Sequence, residues 1–149
     1  MRREAGGPSV AYGVFDAGRH LSGVAGILAS LEWDNFGYDP DLTRKALTAP
    51  GVTTIVAAAG AAGETGKVVG FAQVFADGVF QAHLGLLAVD EGWHRRGVGR
   101  GLVEGALAKV EARRLDLVAS DESLEFYRSF RHREQVGFRI YAEDEEERS

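Results

Sequence analysis

The chain has no cysteine, only three prolines, one methionine and two tryptophans. Without thiols there is no disulfide, no thiolate nucleophile and no cysteine-ligated metal. Long apolar runs are also missing: none approaches the roughly 18 residues that suggest a transmembrane helix. The opening Met1-Arg2-Arg3-Glu4-Ala5-Gly6-Gly7 is not followed by the apolar core of a signal peptide. These absences lead to the expectation of a cytoplasmic protein with no membrane partner. Excess positive charge is lacking too. Lysine and arginine number 17 against 22 aspartates and glutamates, a net charge of −5. That balance argues against broad nucleic-acid binding. It suits a cationic or amine substrate. No set of His, Asp and Glu has metal-ligand spacing, so no metal is expected.

What is present is an ordinary globular composition: 149 residues, 45% hydrophobic and 26% charged. One compact domain is expected over residues 10–142. Residues 1–9 read as a flexible N-terminus, and residues 143–149 as a solvated acidic tail.

Periodicity divides the domain. Residues 10–15 predict a strand. Residues 20–33 predict a helix, with Leu21, Val24, Ala25, Leu28 and Leu31 on one face. Pro40 and Asp41 open a short second helix that ends near Pro50. Residues 52–59 and 67–75 predict two strands. Ala76-Asp77-Gly78 predicts a tight hairpin turn into a long strand over 79–89. A helix over 97–114 carries Leu102, Val103, Ala106, Leu107 and Val110 on one side. A short apolar strand follows at 115–119, parallel to its neighbour across that helix. Asp121 caps a predicted helix over 122–135, and 138–142 is predicted as a last strand. The order is β-α-α-β-β-β-α-β-α-β, an α/β or α+β arrangement with a mixed sheet.

The informative stretch is the junction Leu86-Leu87-Ala88-Val89-Asp90-Glu91-Gly92-Trp93-His94-Arg95-Arg96-Gly97-Val98-Gly99-Arg100-Gly101-Leu102. A strand ends, a polar loop turns, and a helix begins among glycines. Helix starts leave N–H groups unpaired and favour anions. Glycine lets the backbone approach a diphosphate. Arg95, Arg96 and Arg100 add positive charge. Two familiar phosphate motifs fail here. A dinucleotide fingerprint begun at Gly97 would need a third glycine where Leu102 stands. A P-loop ending at Gly66-Lys67 has Ala61 in place of its first glycine and Val68 in place of Ser or Thr.

The same junction resembles motif A of the GCN5-related N-acetyltransferases (GNAT superfamily), Q/R-x-x-G-x-G/A, read here as His94-Arg95-Arg96-Gly97-Val98-Gly99. Histidine stands where the family has Gln or Arg. A second register, Arg96 to Gly101, fits the letters fully. The first is preferred because the strand-to-loop sequence before it also looks like the family's. The element order over 10–142 matches as well.

The resemblance implies the acyl-CoA N-acyltransferase fold: a mixed, mostly antiparallel sheet of about six to seven strands flanked by about four helices. It implies acetyl-CoA as co-substrate, its pyrophosphate held by the loop residues His94, Arg95, Arg96, Gly97, Val98, Gly99 and Arg100. Backbone groups of Leu87, Ala88 and Val89 would meet the pantetheine where the fourth and fifth strands splay apart. The reaction implied is direct attack by a primary amine of a small molecule or peptide.

Glu125-Phe126-Tyr127-Arg128 resembles the segment that carries the family's general acid, which makes Tyr127 the candidate. The family's Gly-Phe commonly follows that tyrosine by four residues; here Gly137-Phe138 follows by ten. Either the helix is extended, or Arg133 takes the aligned position and Tyr127 faces elsewhere. His83 is a candidate base, because imidazole exchanges protons near neutral pH. It shares a face with Leu87 and Val89 if the strand is regular, and a bulge would reverse that. Glu32 and Asp34 are rival bases. Glu32, Trp33, Asp34, Phe36 and Tyr38 fall on the expected acceptor wall, where aromatics and carboxylates suit an amine; the same aromatics would equally close the core. An acyl-CoA-binding sensor without catalysis is the alternative function. A homodimer through the last strand or a sheet edge is left open.

Overall fold

A computed structural model describes residues 9–33, 39–60 and 66–143. It contains two compact units, one ending at Asp116 and one beginning at Leu117. The first holds a five-stranded sheet in the order β1 (Val10–Val14), β2 (Val52–Ala59), β3 (Lys67–Ala76), β4 (Gln81–Val89), β5 (Arg114–Asp116). All neighbours are antiparallel except β4 and β5, which run parallel. This is the expected mixed, mostly antiparallel sheet. The described strands number five, below the six to seven implied.

Helices cover both faces. On one lie α1 (Ala17–Ser30) and α2 (Pro40–Leu47); on the other lies α3 (Val98–Val110). In α1, His20, Val24, Ile27 and Leu28 are buried, the spacing that puts four side chains on one stripe. Val24, Ile27 and Leu28 join Val56, Phe71 and Ala88 from the sheet in one core cluster. α2 starts as its sequence directs: Pro40 sits in the first turn, and the Asp39 carboxylate accepts from the Asp41 and Leu42 N–H groups. On the opposite face, α3 buries Val98, Leu102, Val103, Ala106 and Val110. It sits close to the sheet because Gly70 has no side chain. A Cβ there would stand 2.9 Å from the Ala88 carbonyl oxygen and 3.0 Å from the Leu102 side chain.

The turn between β3 and β4 forms as read. The Asp77 carboxylate accepts from the N–H groups of Val79, Phe80 and Gln81, and Gly78 takes φ 80°.

The second unit departs from expectation. The helix predicted over 122–135 is a 3-10 turn, Asp121–Ser123, followed by a short α4, Leu124–Arg128. The Ser129 hydroxyl donates to the Phe126 carbonyl at 2.6 Å, and the Phe130 N–H donates to the Tyr127 carbonyl, three residues back. Side-chain competition for the last carbonyls stops the helix there. Beyond it, the Arg128 guanidinium grips both oxygens of Glu134, at 2.9 and 3.2 Å. The strand predicted over 138–142 does not form; its backbone has no sheet partner among the described residues.

His20 offers a stability test. Its Nδ1 accepts from the Asp16 N–H at 2.9 Å, tying the residue before α1 to the helix's first turn. Burial, aided by Arg19 and opposed by Asp16, holds its pKa below the ordinary 6.5. The unfolded chain therefore binds this proton first, so the contribution is complete above about pH 6.5 and is lost as pH falls. The melting temperature is expected to fall between pH 7 and pH 5, and His20→Gln should flatten that slope. An unchanged slope in the variant would show that His20 is not its source.

Candidate functional site

The site is built on β4. Its hydrogen-bonded ladder with β5 is brief: Gln81↔Arg114, Ala82↔Leu115 and His83↔Asp116. β4 then continues to Val89, so from Leu84 onward the edge that faced β5 lies open within this sheet. The register against β3 breaks between Gln73 and Val74, and Gly85 is the extra residue. The bulge is tight. A Cβ on Gly85 would lie 2.8 Å from the Gln73 side-chain oxygen and would strike the Phe75 ring. Glycine is what fits there.

The bulge decides where side chains point. After it, Leu86 and Ala88 face the α1 core, while Leu87 and Val89 face α3. Before it, His83 lies opposite Phe75 and next to Asp116 in register, on the same side as Gln73 and Phe71, the α1 side. His83 therefore does not share a face with Leu87 and Val89, as a regular strand would require; the bulge reverses the parity. It is exposed. With Phe75, Asp77 and Asp116 it lines a shallow depression of about 420 Å³. Hydrogen bonds from Val79 and Phe80 hold the Asp77 carboxyl below its ordinary pKa, so it is an anion there.

Backbone groups of β4 alternate between its two edges. Asp90 N–H donates to the Val69 carbonyl at 2.8 Å, which makes Asp90 opposite Val69 a hydrogen-bonded pair. Ala88 and Leu86 then also bond to β3, and Leu87 and Val89 turn their N–H and C=O toward the open edge. Of the three strand residues singled out from sequence, two present backbone to that edge; Ala88 is spent on the sheet.

The loop closes onto the same edge. After the 3-10 turn Glu91–Trp93, His94 Nε2 lies 3.0 Å from the Val89 carbonyl oxygen. A side-chain N–H reaching that carbonyl is something Gln or Arg at this position would also supply. Arg95 (φ 64°) and Gly97 (φ 82°) are both left-handed, bracketing Arg96. Such alternation turns successive N–H groups inward around an anion. Gly97 is the N-cap of α3 and offers no side chain to its first amides. A Cβ at Gly97 would meet nothing within 4 Å, so the space before the helix is open. The Arg96 guanidinium stacks on Trp93, 4.8 Å from the ring centre, and is held at the loop rather than swinging free. Uncapped amides at a helix start, open space and arginines fit a diphosphate group.

Trp33 packs against the core of the first unit, the structural role its sequence also allowed, and Glu32 is exposed at the end of α1 with φ 59°. Asp34, Phe36 and Tyr38 lie outside the described residues. Tyr127 belongs to the second unit, on α4. It is half-buried, edge-on to Phe126 with ring centres 4.9 Å apart, and burial pushes its phenol up to about 12. Gly85 and Asp116 were not singled out from the sequence. A glycine inside an apolar strand is a signal for a bulge; Asp116 carried none.

Comparison with known proteins agrees with this architecture. The model of the acetyltransferase (GNAT) family matches residues 26–131. That is well over half of the chain, and the chain belongs to this family. Among solved structures, it is similar to an aminoglycoside acetyltransferase from an uncultured soil metagenomic sample, in complex with sisomicin. That match has TM-score 0.69 and 22% identity, over 89% of this chain and 95% of the other. It is similar also to an aminoglycoside N-acetyltransferase in complex with CoA, with TM-score 0.67 and 19% identity over 93% and 99%. A third is glucosamine-6-phosphate N-acetyltransferase from Arabidopsis thaliana, with TM-score 0.63 and 14% identity over 89% and 98%. At these identities the likeness is one of fold. A comparison with curated protein sequences returns no match.

The His94 contact can be tested directly. His94→Ala should speed hydrogen exchange at the amides of Arg95 to Gly99 about fivefold, the loss of roughly 1 kcal/mol. His94→Gln should keep the wild-type rate. Equal rates in all three proteins would show that the ring does not hold the loop.

Proposed function

We propose that the protein transfers an acetyl group from acetyl-CoA to a primary amine of a small molecule or peptide by direct attack. The observation that carries this reading is the uncapped start of α3 after Gly97, set beside the open edge of β4. The amides that follow Gly97 hold the pyrophosphate, with Arg95 and Arg96 as secondary support. Leu87 and Val89 offer backbone groups along the edge. From Val89 back to Gly85 is four residues, about 13 Å of strand, and in this reading the thioester lies near the bulge. The acetyl-CoA supplies the activated acetyl group and a thiolate leaving group.

The chain's own residues then have separate tasks. The β4 backbone at the bulge donates to the carbonyl oxygen as negative charge builds on it. His83 is one residue or two from that point, on the α1 face, and takes the proton from the incoming ammonium. Asp77 and Asp116 favour a cationic acceptor in the same depression. Tyr127 serves as the proton donor to the departing thiolate; its raised pKa keeps it protonated over the working range. The aminoglycoside and glucosamine-6-phosphate N-acetyltransferases of similar fold support an amine acceptor, and the complex with CoA supports the co-substrate. The domain over residues 10–142 and a cytoplasmic setting remain part of this proposal.

Calorimetric titration with acetyl-CoA, together with thiol release across a panel of amines, tests the proposal. Saturable binding and amine-dependent release are expected. Binding without release from any amine would favour the sensor reading, and no binding would sink both. Gly99→Glu should abolish binding by clash and like charge at the diphosphate. Tyr127→Phe and His83→Gln should each lower turnover on the order of 10²-fold with cofactor affinity kept. Unchanged turnover in either removes that residue from the chemistry.

A further inference from the structure

Gln73 is only 4% exposed and stands on β3, on the face that carries Phe75 and His83. Its Nε2 donates to the Ala46 carbonyl at 3.1 Å. That bond settles which end of the amide is oxygen, because a flipped amide would set two oxygens against each other. The other end, Oε1, is turned to the bulge: it lies 2.8 Å from the position a Cβ on Gly85 would take. Among the described residues no donor meets it. Every sealed side-chain polar atom among them has a partner, so Oε1, having none, reaches open space. All of these residues belong to the first unit. An amide oxygen on a buried side chain costs free energy when it has no donor, so this place calls for one from outside.

The neighbours narrow the donor. His83 is two residues from Gly85 and lies opposite Phe75, with ring centres 6.3 Å apart. The same Phe75 ring would strike a Cβ on Gly85, so it borders the point that the Gln73 oxygen faces. A thioester brings only carbon, oxygen and sulfur to that point, and none of these donates. An attacking amine brings N–H groups. We propose that the Gln73 amide oxygen accepts a hydrogen bond from the acceptor's amine and, with His83, aims its nitrogen at the thioester. An ammonium has three protons. One passes to the His83 imidazole, one is held by Gln73, and the nitrogen is left with a lone pair for attack. An alcohol has a single proton, which the base would take, so the arrangement selects nitrogen over oxygen. The amide oxygen is not basic; Gln73 orients the amine and takes no proton. This inference rests on the acetyl-transfer reading above.

Gln73→Met and Gln73→Glu test it, with n-butylamine, phenethylamine, glucosamine 6-phosphate and sisomicin as acceptors. Both variants remove the N–H that reaches Ala46, and only glutamate keeps an oxygen at the bulge. A merely structural role would therefore affect the two alike. Gln73→Met should lower kcat/KM for the amine about tenfold or more, with acetyl-CoA affinity unchanged by calorimetry. Gln73→Glu should recover most of that loss. Equal losses in both variants, or no loss in Gln73→Met, overturn the proposal and leave acetyl transfer standing. No thiol release from the wild-type chain with any of the four amines overturns the transfer reading, and this inference with it. A second measurement needs no variant. In 15N-labelled wild-type protein loaded with CoA, the Gln73 side-chain amide should shift saturably as the fastest of the four acceptors is added. A resonance that does not move overturns the proposal.

Discussion

β4 is hydrogen-bonded to β3 along almost its whole length and to β5 only over its first three residues. One strand therefore serves as sheet on one side and as an open edge on the other. The bulge at Gly85 sits just past the last β5 contact. It adds a residue on one strand only, which bends the strand and reverses the alternation of side chains. Because of that reversal, His83 faces α1 while Leu87 faces α3. A regular strand would have placed both on one face.

The second requirement is that α3 start at the end of this strand and lie close to the sheet. Gly70 removes the side chain that would push it away, and Gly97 in the left-handed region lets the chain turn directly into the helix. Val98 and Leu102 are buried immediately after the turn, so the same residues that open the helix also anchor it. The start of the helix is thereby fixed against the core, and Gly97 offers no side chain to cap its first amides. A flexible loop of the same charge would have to be ordered on binding, at an entropic cost.

How much of this could be read from the sequence follows from which interactions are local. The hairpin at Asp77-Gly78, the α2 start at Asp39-Pro40 and the glycine-rich entry to α3 are decided within a few residues, and they form as expected. The GNAT family was legible from that entry and from the order of elements. Errors arise where distant or competing partners decide. Helix propensity over 122–135 gave no sign that Ser129 would take a carbonyl, or that Arg128 would turn to Glu134. The apolar alternation over 138–142 shows a strand's side chains, but a strand also needs a neighbour. Trp33 looked like acceptor wall and core alike, and only packing separates those roles. At the site, the loop was visible as a motif. The facing of His83 depended on one glycine, which the sequence shows but does not interpret.

The central claim is that the start of α3 and the open edge of β4 together hold the coenzyme. It is tested most directly by titrating CoA into 15N-labelled protein and following each backbone amide by NMR. Saturable shifts are expected, largest at Arg96 to Gly101 and at Leu87 and Val89, with little change at Ala88, whose amide is bonded to β3. No saturable shift, or shifts centred away from these residues, would contradict it.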